Sequence, residues 1–198
     1  MRKRIVITGL GCVSPVGNDV TSTWQNIIQG VSGGGPITHY DASAHKVQIA
    51  AEVKGFDAHT LFGSRSARKM DRFTQFALAA SHQAVAHAAL HIDDSNRDRV
   101  GIIIGTGIGG IGTMFEQFEV LASRGPNRVS PFLVPMMLPD SAAGTIAIEL
   151  GARGPNMAVV TACATGTNAV GEAAALIRRG GAEVVLAGGA EAAIVPIA

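Results

Sequence analysis

Apolar and polar positions along the chain follow two rhythms, and each predicts its own kind of element. Short runs rich in Val and Ile occur at residues 4–9, 47–53 and 100–106, at Val159-Val160 and at residues 183–189. Each of these reads as a strand. Helical spacing marks residues 23–30, which Gly30 ends, then residues 113–118, 140–150 and 171–179. Asp140 is the expected cap of the third of these, and its small-residue face would allow close approach to the last. The basic run 65–72 reads as the opening of a long helix continuing through Phe73, Phe76, Leu78, Val85 and Leu90. Residues 32–36 read as a loop. Residues 131–139 hold three prolines among apolar side chains and cannot form one regular helix. Strands alternating with helices predict one α/β unit over residues 1–198, in doubly wound α/β/α layers with a mostly parallel sheet.

Composition narrows this picture. A chain of 198 residues can bury a sizeable core. Only 16% of residues are charged and 47% are hydrophobic, yet no apolar run reaches 18, so no membrane helix is expected. The apolar excess instead suggests surface buried between subunits. The first residues lead straight into a strand and leave no room for a targeting peptide, so the cytosol is the expected compartment. Cys12 and Cys163 lie far apart without a CxxC, which argues against a disulfide framework or a zinc site. A net charge of +1 gives no sign of a nucleic-acid partner.

The candidate chemistry centres on Cys163. It falls where a strand turns into a helix, so unpaired backbone N–H groups and the positive end of the helix dipole face its sulfur. Ala162, Ala164 and Gly166 leave space around it. The layout matches the strand–turn–helix elbow of acyl-transfer enzymes, with Cys as nucleophile; a buried structural cysteine is the plainer reading. Cys12, followed by Pro15 and by no helix start, reads as a small core residue. Residues 107–112 satisfy the GxGxxG pattern, but the strand ending in an acidic residue that dinucleotide binding needs is replaced by a polar loop at 123–128. These glycines read as packing and turn residues. Arg65, Arg68 and Lys69 belong to the densest basic run; cations at a helix start oppose its dipole, which points to an acidic partner rather than to helix stability.

The stretch Thr161-Ala162-Cys163-Ala164-Thr165-Gly166 resembles the active-site cysteine motif of the beta-ketoacyl-acyl carrier protein synthases, in the thiolase-like superfamily. Residues 6–11 with 14–17, residues 105–110 and residues 186–191 match the same family in the same order, and residues 130–135 fit its elongating second type. The resemblance implies a 3-oxoacyl-carrier-protein synthase of fatty acid biosynthesis. In it Cys163 takes an acyl group, which condenses with a malonyl thioester as CO₂ is lost. It further implies substrates carried on the phosphopantetheine arm of acyl carrier protein, no other cofactor or metal, and a homodimer pairing residues 155–160 across the two-fold. Arg65, Arg68 and Lys69 match carrier-binding positions, and Ile108 matches the acyl-pocket wall. Leu133 stands where the elongating enzymes often carry Phe, which would widen that pocket. The family's catalytic histidines lie in His-Gly-Thr and Gly-His motifs, and none of His39, His45, His59, His82, His87 and His91 sits in either. The chain therefore resembles the N-terminal half of a synthase. A non-catalytic pocket-forming partner and a thiolase are the alternatives, and the presence of Cys163 and of the basic run favours the synthase.

Overall fold

The computed structural model describes residues 4–198; Met1, Arg2 and Lys3, read as the lead-in to the first strand, lie outside the described residues. In chain order the elements are α1 (Val20–Ile28), β1 (Gly35–Pro36), β2 (Ile49–Ala50), α2 (Ala58–Ala67), α3 (Arg72–His87), β3 (Val100–Gly105), α4 (Ile111–Arg124), α5 (Leu133–Met137), α6 (Ser141–Leu150), β4 (Asn156–Met157), α7 (Thr165–Arg178) and β5 (Val184–Gly189). Strands β4, β3 and β5 form a parallel sheet in that order, with Ile102 opposite Asn156 and Leu186. β1 and β2 form a separate antiparallel pair.

All six residues of β3 are buried, because both faces of the central strand are covered. Side chains alternate across a strand. Val100, Ile102 and Ile104 accordingly pack with Phe73 and Leu78 of α3 and with Ala142, Ala143 and Ile146 of α6. Ile103 meets Ala169, Ala173 and Leu176 of α7 on the other face. Each such isoleucine contributes about 1.5–3 kcal/mol on burial. These are the expected α/β/α layers around a parallel sheet.

Several local expectations differ in the folded chain. Residues 4–9 form no strand, and Val6 and Ile7 remain 65% and 77% exposed. The segment instead lies along α3, where Leu10 N–H donates to His87 Nδ1 (3.1 Å) and Cys12 N–H to Gln83 Oε1 (3.0 Å). Gly11 rests against the Ala80 carbonyl so closely that any Cβ would clash. The strand expected at 47–53 is reduced to two residues, and its partner β1 arises inside the expected loop. The small-residue face of α6 packs on α3 and β3, across the sheet from α7 rather than against it.

The basic run does not open a long helix. Gly63, at φ 74° and ψ 150°, breaks α2; the helix then ends at Ala67, and α3 begins only after Asp71. Arg65 thus occupies the last turn of α2, and Arg68 Nε donates to the Ser64 carbonyl (3.1 Å). Cations there complement the helix dipole, so the argument drawn from a helix start is reversed.

Asp71 is the busiest cap. Its carboxylate is buried and accepts from Phe73 N–H (3.1 Å), Thr113 N–H (2.9 Å) and Thr113 Oγ1 (2.7 Å), joining the start of α3 to the first turn of α4. Asp140 stands at the N-cap of α6 but makes no side-chain bond to it. Asp71→Ala, which orphans buried donors, is expected to cost about 2–4 kcal/mol. Asp140→Ala is expected to cost less than about 0.5 kcal/mol. Urea unfolding of the two variants checks the contrast.

Candidate functional site

Parallel strands end on one edge, and ligands of open α/β sheets gather at that edge. Here the exits of β3, β4 and β5 converge, with Ala190 N–H donating to the Gly105 carbonyl (3.0 Å). After β4 the chain continues to Thr161 without pairing, makes a single 3₁₀ turn at Ala162–Ala164, and enters α7 at Thr165. Cys163 sits in that turn with its side chain exposed. The 14-residue helix α7 points its N-terminus at this turn, so partial positive charge faces the thiol. Among the described residues, nothing accepts a hydrogen bond from the Cys163 N–H. An incoming oxyanion would find that donor free.

The turn is under strain. Ala162 adopts φ 50°, in the left-handed region that a non-glycine residue enters at a cost of about 1–3 kcal/mol. Three polar side chains brace it. Thr161 N–H donates to Thr165 Oγ1 (2.9 Å), Thr165 Oγ1 donates to the Thr106 carbonyl (3.4 Å), and Asn168 Nδ2 donates to Thr161 Oγ1 (2.9 Å).

A second turn, leaving β3, lies beside it. Glu191, two residues beyond β5, accepts on one oxygen from Thr106 Oγ1 (3.1 Å), Gly107 N–H (2.8 Å) and Ile108 N–H (3.1 Å). A Cβ built on Gly107 would stand 2.9 Å from that oxygen and 3.4 Å from Ala162 Cα, so the two turns touch where glycine leaves room. Ile108, half exposed, follows Gly107 on this turn. The same turn continues to Gly110, whose N–H donates to the Met137 carbonyl of α5 (3.1 Å). Leu133 lies at the opposite end of α5 and is half-buried.

Arg65, Arg68 and Lys69 are exposed around the α2–α3 connection. Lys69 reaches the ring of Phe132, the residue preceding α5, at 5.2 Å from its centroid. Beside Lys69 a cavity of about 340 Å³ is lined by Leu61, Phe62, His82 and Ile148.

A cavity of about 1170 Å³ that Cys163 does not line lies between α3, α4 and the tail after β5, with Cys12, Arg72, Glu116 and Glu191 on its walls. Arg72 stacks between Phe56 and Phe76 at 4.7 and 4.8 Å. Burial, then the like charges of Asp71 and Glu119, push the Glu116 carboxyl above its ordinary value. The histidines serve other contacts: His87 holds Leu10, His45 packs on Tyr40, and His82 packs on Phe62. Among the described residues no three His, Cys, Asp or Glu side chains gather as metal ligands, and no helix is long and apolar enough to cross a membrane.

Reading the residues alone assigned no role to Glu191, Thr106 or Thr165. Only their positions within the matched stretches singled them out, since each acts on backbone far away in sequence.

A sheet covered on both faces, with a thiol at the N-terminus of a dipole-bearing helix, is an α/β arrangement suited to acyl transfer, and its likeness to solved ketosynthases gives it the thiolase-like fold. Within it the chain belongs to the beta-ketoacyl synthases: residues 2–198 match the beta-ketoacyl synthase N-terminal domain. It is 50% identical over 196 residues to 3-oxoacyl-[acyl-carrier-protein] synthase 2 of Staphylococcus aureus strain N315, covering 99% of this chain and 47% of that protein. Its identity to the protein of the same name from Synechocystis sp. is 47% over 196 residues, with the same coverage. Among solved structures, the ishigamide ketosynthase/chain length factor superposes with a TM-score of 0.83 at 32% identity, over 97% of this chain and 48% of that one. A type II PKS acyl-carrier protein in complex with its ketosynthase gives a TM-score of 0.82 at 27% identity, over 99% of this chain and 52% of that one. The chain spans about half the length of the relatives it matches.

The two cysteines provide a direct check. Cys163 is exposed on its turn, whereas Cys12 is half-buried against α3. Limited iodoacetamide treatment followed by peptide mass analysis is expected to alkylate Cys163 first, and faster labelling of Cys12 would overturn the assignment.

Proposed function

We propose that this chain carries the acyl-accepting half of a 3-oxoacyl-[acyl-carrier-protein] synthase active site in fatty acid biosynthesis, with Cys163 as nucleophile. The observation that carries it is the exposed thiol on the braced elbow, at the N-terminus of α7 and where three parallel strands end. The Cys163 sulfur attacks the carbonyl carbon of an acyl thioester. Its N–H donates to the oxyanion that forms; donors of this kind contribute about 2.7–4 kcal/mol in other enzymes. The carrier's C–S bond then breaks, its phosphopantetheine thiol leaves with a proton, and the acyl group stays on Cys163. In the condensation that follows, a malonyl thioester loses CO₂, its carbanion attacks the acyl carbon, and the Cys163–acyl bond breaks. That half requires donors at the malonyl thioester oxygen. The family's His-Gly-Thr and Gly-His motifs are absent from residues 1–198, and none of the six histidines bonds to the elbow.

Acyl carrier protein is the proposed donor, docking on Arg65, Arg68 and Lys69. Their exposure on one connection supports this, as does the neighbouring structure described as a carrier protein bound to its ketosynthase. Ile108 and Leu133 would line the acyl chain's path, and the protein would act in the cytoplasm.

One assay tests both the nucleophile and the docking surface. With acyl-carrier protein, intact mass should show one acyl group on the protein and none on Cys163→Ala, while residues 1–198 given malonyl-carrier protein should release no CO₂ and no 3-oxoacyl product. Arg65→Glu with Lys69→Glu should raise the apparent KM for acyl-carrier protein about tenfold and flatten its salt dependence, leaving a small acyl thioester unaffected. Equal losses with both donors would remove the docking assignment, and turnover by residues 1–198 would refute the half-site reading.

The proposed assembly is a homodimer through β4, which pairs with β3 on one side only, so its other edge is open to a second copy. Val160, 51% exposed, extends that edge with apolar surface. Sedimentation at micromolar concentration should give a dimer, and a monomer there would exclude it.

A further inference from the structure

We infer that Glu191 is a positioning residue: by gathering the turn that leaves β3, its carboxylate sets that turn against Ala162 and holds the Cys163 thiol in its reactive geometry. The inference rests on Cys163 being the nucleophile proposed above. Three donors from consecutive residues, Thr106 Oγ1, Gly107 N–H and Ile108 N–H, converge on one oxygen of Glu191 at 3.1, 2.8 and 3.1 Å. Its other oxygen takes Ala192 N–H at 3.3 Å. Among the described residues no cation pairs with this carboxylate, and no other acceptor serves those two turn amides. Two successive amides aimed at one anion form a concave nest, and the negative charge holds the nest closed.

The nest borders the elbow on two sides. Gly107 lies against Ala162, where a Cβ would come within 3.4 Å of Ala162 Cα. The Thr106 carbonyl accepts from Thr165 Oγ1 (3.4 Å), which in turn accepts from Thr161 N–H (2.9 Å). Ala162 keeps its strained φ of 50° only because its surroundings over-determine it. The Gly107 turn is one of those surroundings, and Glu191 is what fixes the turn.

Glu191 and Ile108 are exposed and Gly107 is half-buried, so water can replace the carboxylate at these amides when it is removed. Its effect is therefore read in geometry more than in folding stability. No hydrogen bond joins Glu191 to Cys163, so its influence on the thiol runs through the turn it gathers.

The test compares Glu191→Ala, Glu191→Gln and Thr106→Val in the purified protein. Thermal melting reports folding, iodoacetamide labelling reports the Cys163 thiol, and single-turnover transfer from acyl-carrier protein gives a maximal rate and a half-saturation. Glu191→Ala is expected to slow labelling about tenfold and the maximal acylation rate between about ten- and a hundredfold, with half-saturation unchanged, because misplacement by about 1 Å costs on that order. Glu191→Gln leaves an oxygen where the three donors converge and should recover most of both rates. A folded Glu191→Ala protein that labels and acylates at wild-type rates overturns the inference, as does one that loses only melting temperature. Thr106→Val removes one donor and keeps both amides, so it decides the matter if Glu191→Ala does not fold: slowed labelling supports the inference and an unchanged rate overturns it. A wild-type protein that accepts no acyl group would instead refute the proposed function, while the labelling comparison would still decide the role of Glu191.

Discussion

The parallel ladder between β3 and β5 is the constraint on which the candidate site depends. Its register pairs Val100 with Val184 and ends with Gly105 opposite Gly189. Because the strands run the same way, their exits emerge on one edge and reach each other without long excursions. β4 joins on the other side of β3 and delivers the Cys163 turn to the same edge. An antiparallel neighbour would have sent one of these segments to the opposite end of the sheet.

Burial on both faces holds that register. A one-residue slip would move Ile103 from the α7 side to the α3–α6 side and expose its neighbours to the wrong layer. The core thus does more than stabilise the fold, because it fixes which residues stand at the strand exits. There the backbone leaves regular structure, and its N–H groups and carbonyls must find other partners. Glu191, Thr165 and Thr106 supply several of them, and in doing so they bind the exits of β3, β4 and β5 into one braced unit. A strained Ala162 is tolerable inside such a unit and would relax outside it.

The surface around the α2–α3 connection follows a different logic. Arg65 stands in the last turn of α2 and Arg68 donates to the Ser64 carbonyl there, so their positive charge has a local reason independent of any partner. The same charges remain exposed. Helix capping and a docking role are compatible here, because capping uses one donor of each cation at most and leaves its field in solvent.

What the sequence by itself determined is what depends on near neighbours. The apolar run 100–105 reads as a covered strand and is one, and Cys163 does stand in a turn that opens a helix, although the Val159-Val160 run read as its strand joins no ladder and the paired residues are Asn156 and Met157 instead. The four matched stretches likewise placed the chain in its family from residue order alone. Tertiary structure decided what rests on distant partners. Whether residues 65–72 open or close a helix turned on Gly63 and on Asp71, whose bonds to Thr113 span 42 positions. Residues 4–9, with a strand's composition, found side chains of α3 instead of a ladder partner. Glu191 meets the Gly107 amide across 84 positions, a proximity that only the β3–β5 pairing creates. Periodicity reports which face a residue turns inward, but which backbone it meets there is fixed by sheet order and register, and those are properties of the assembled chain.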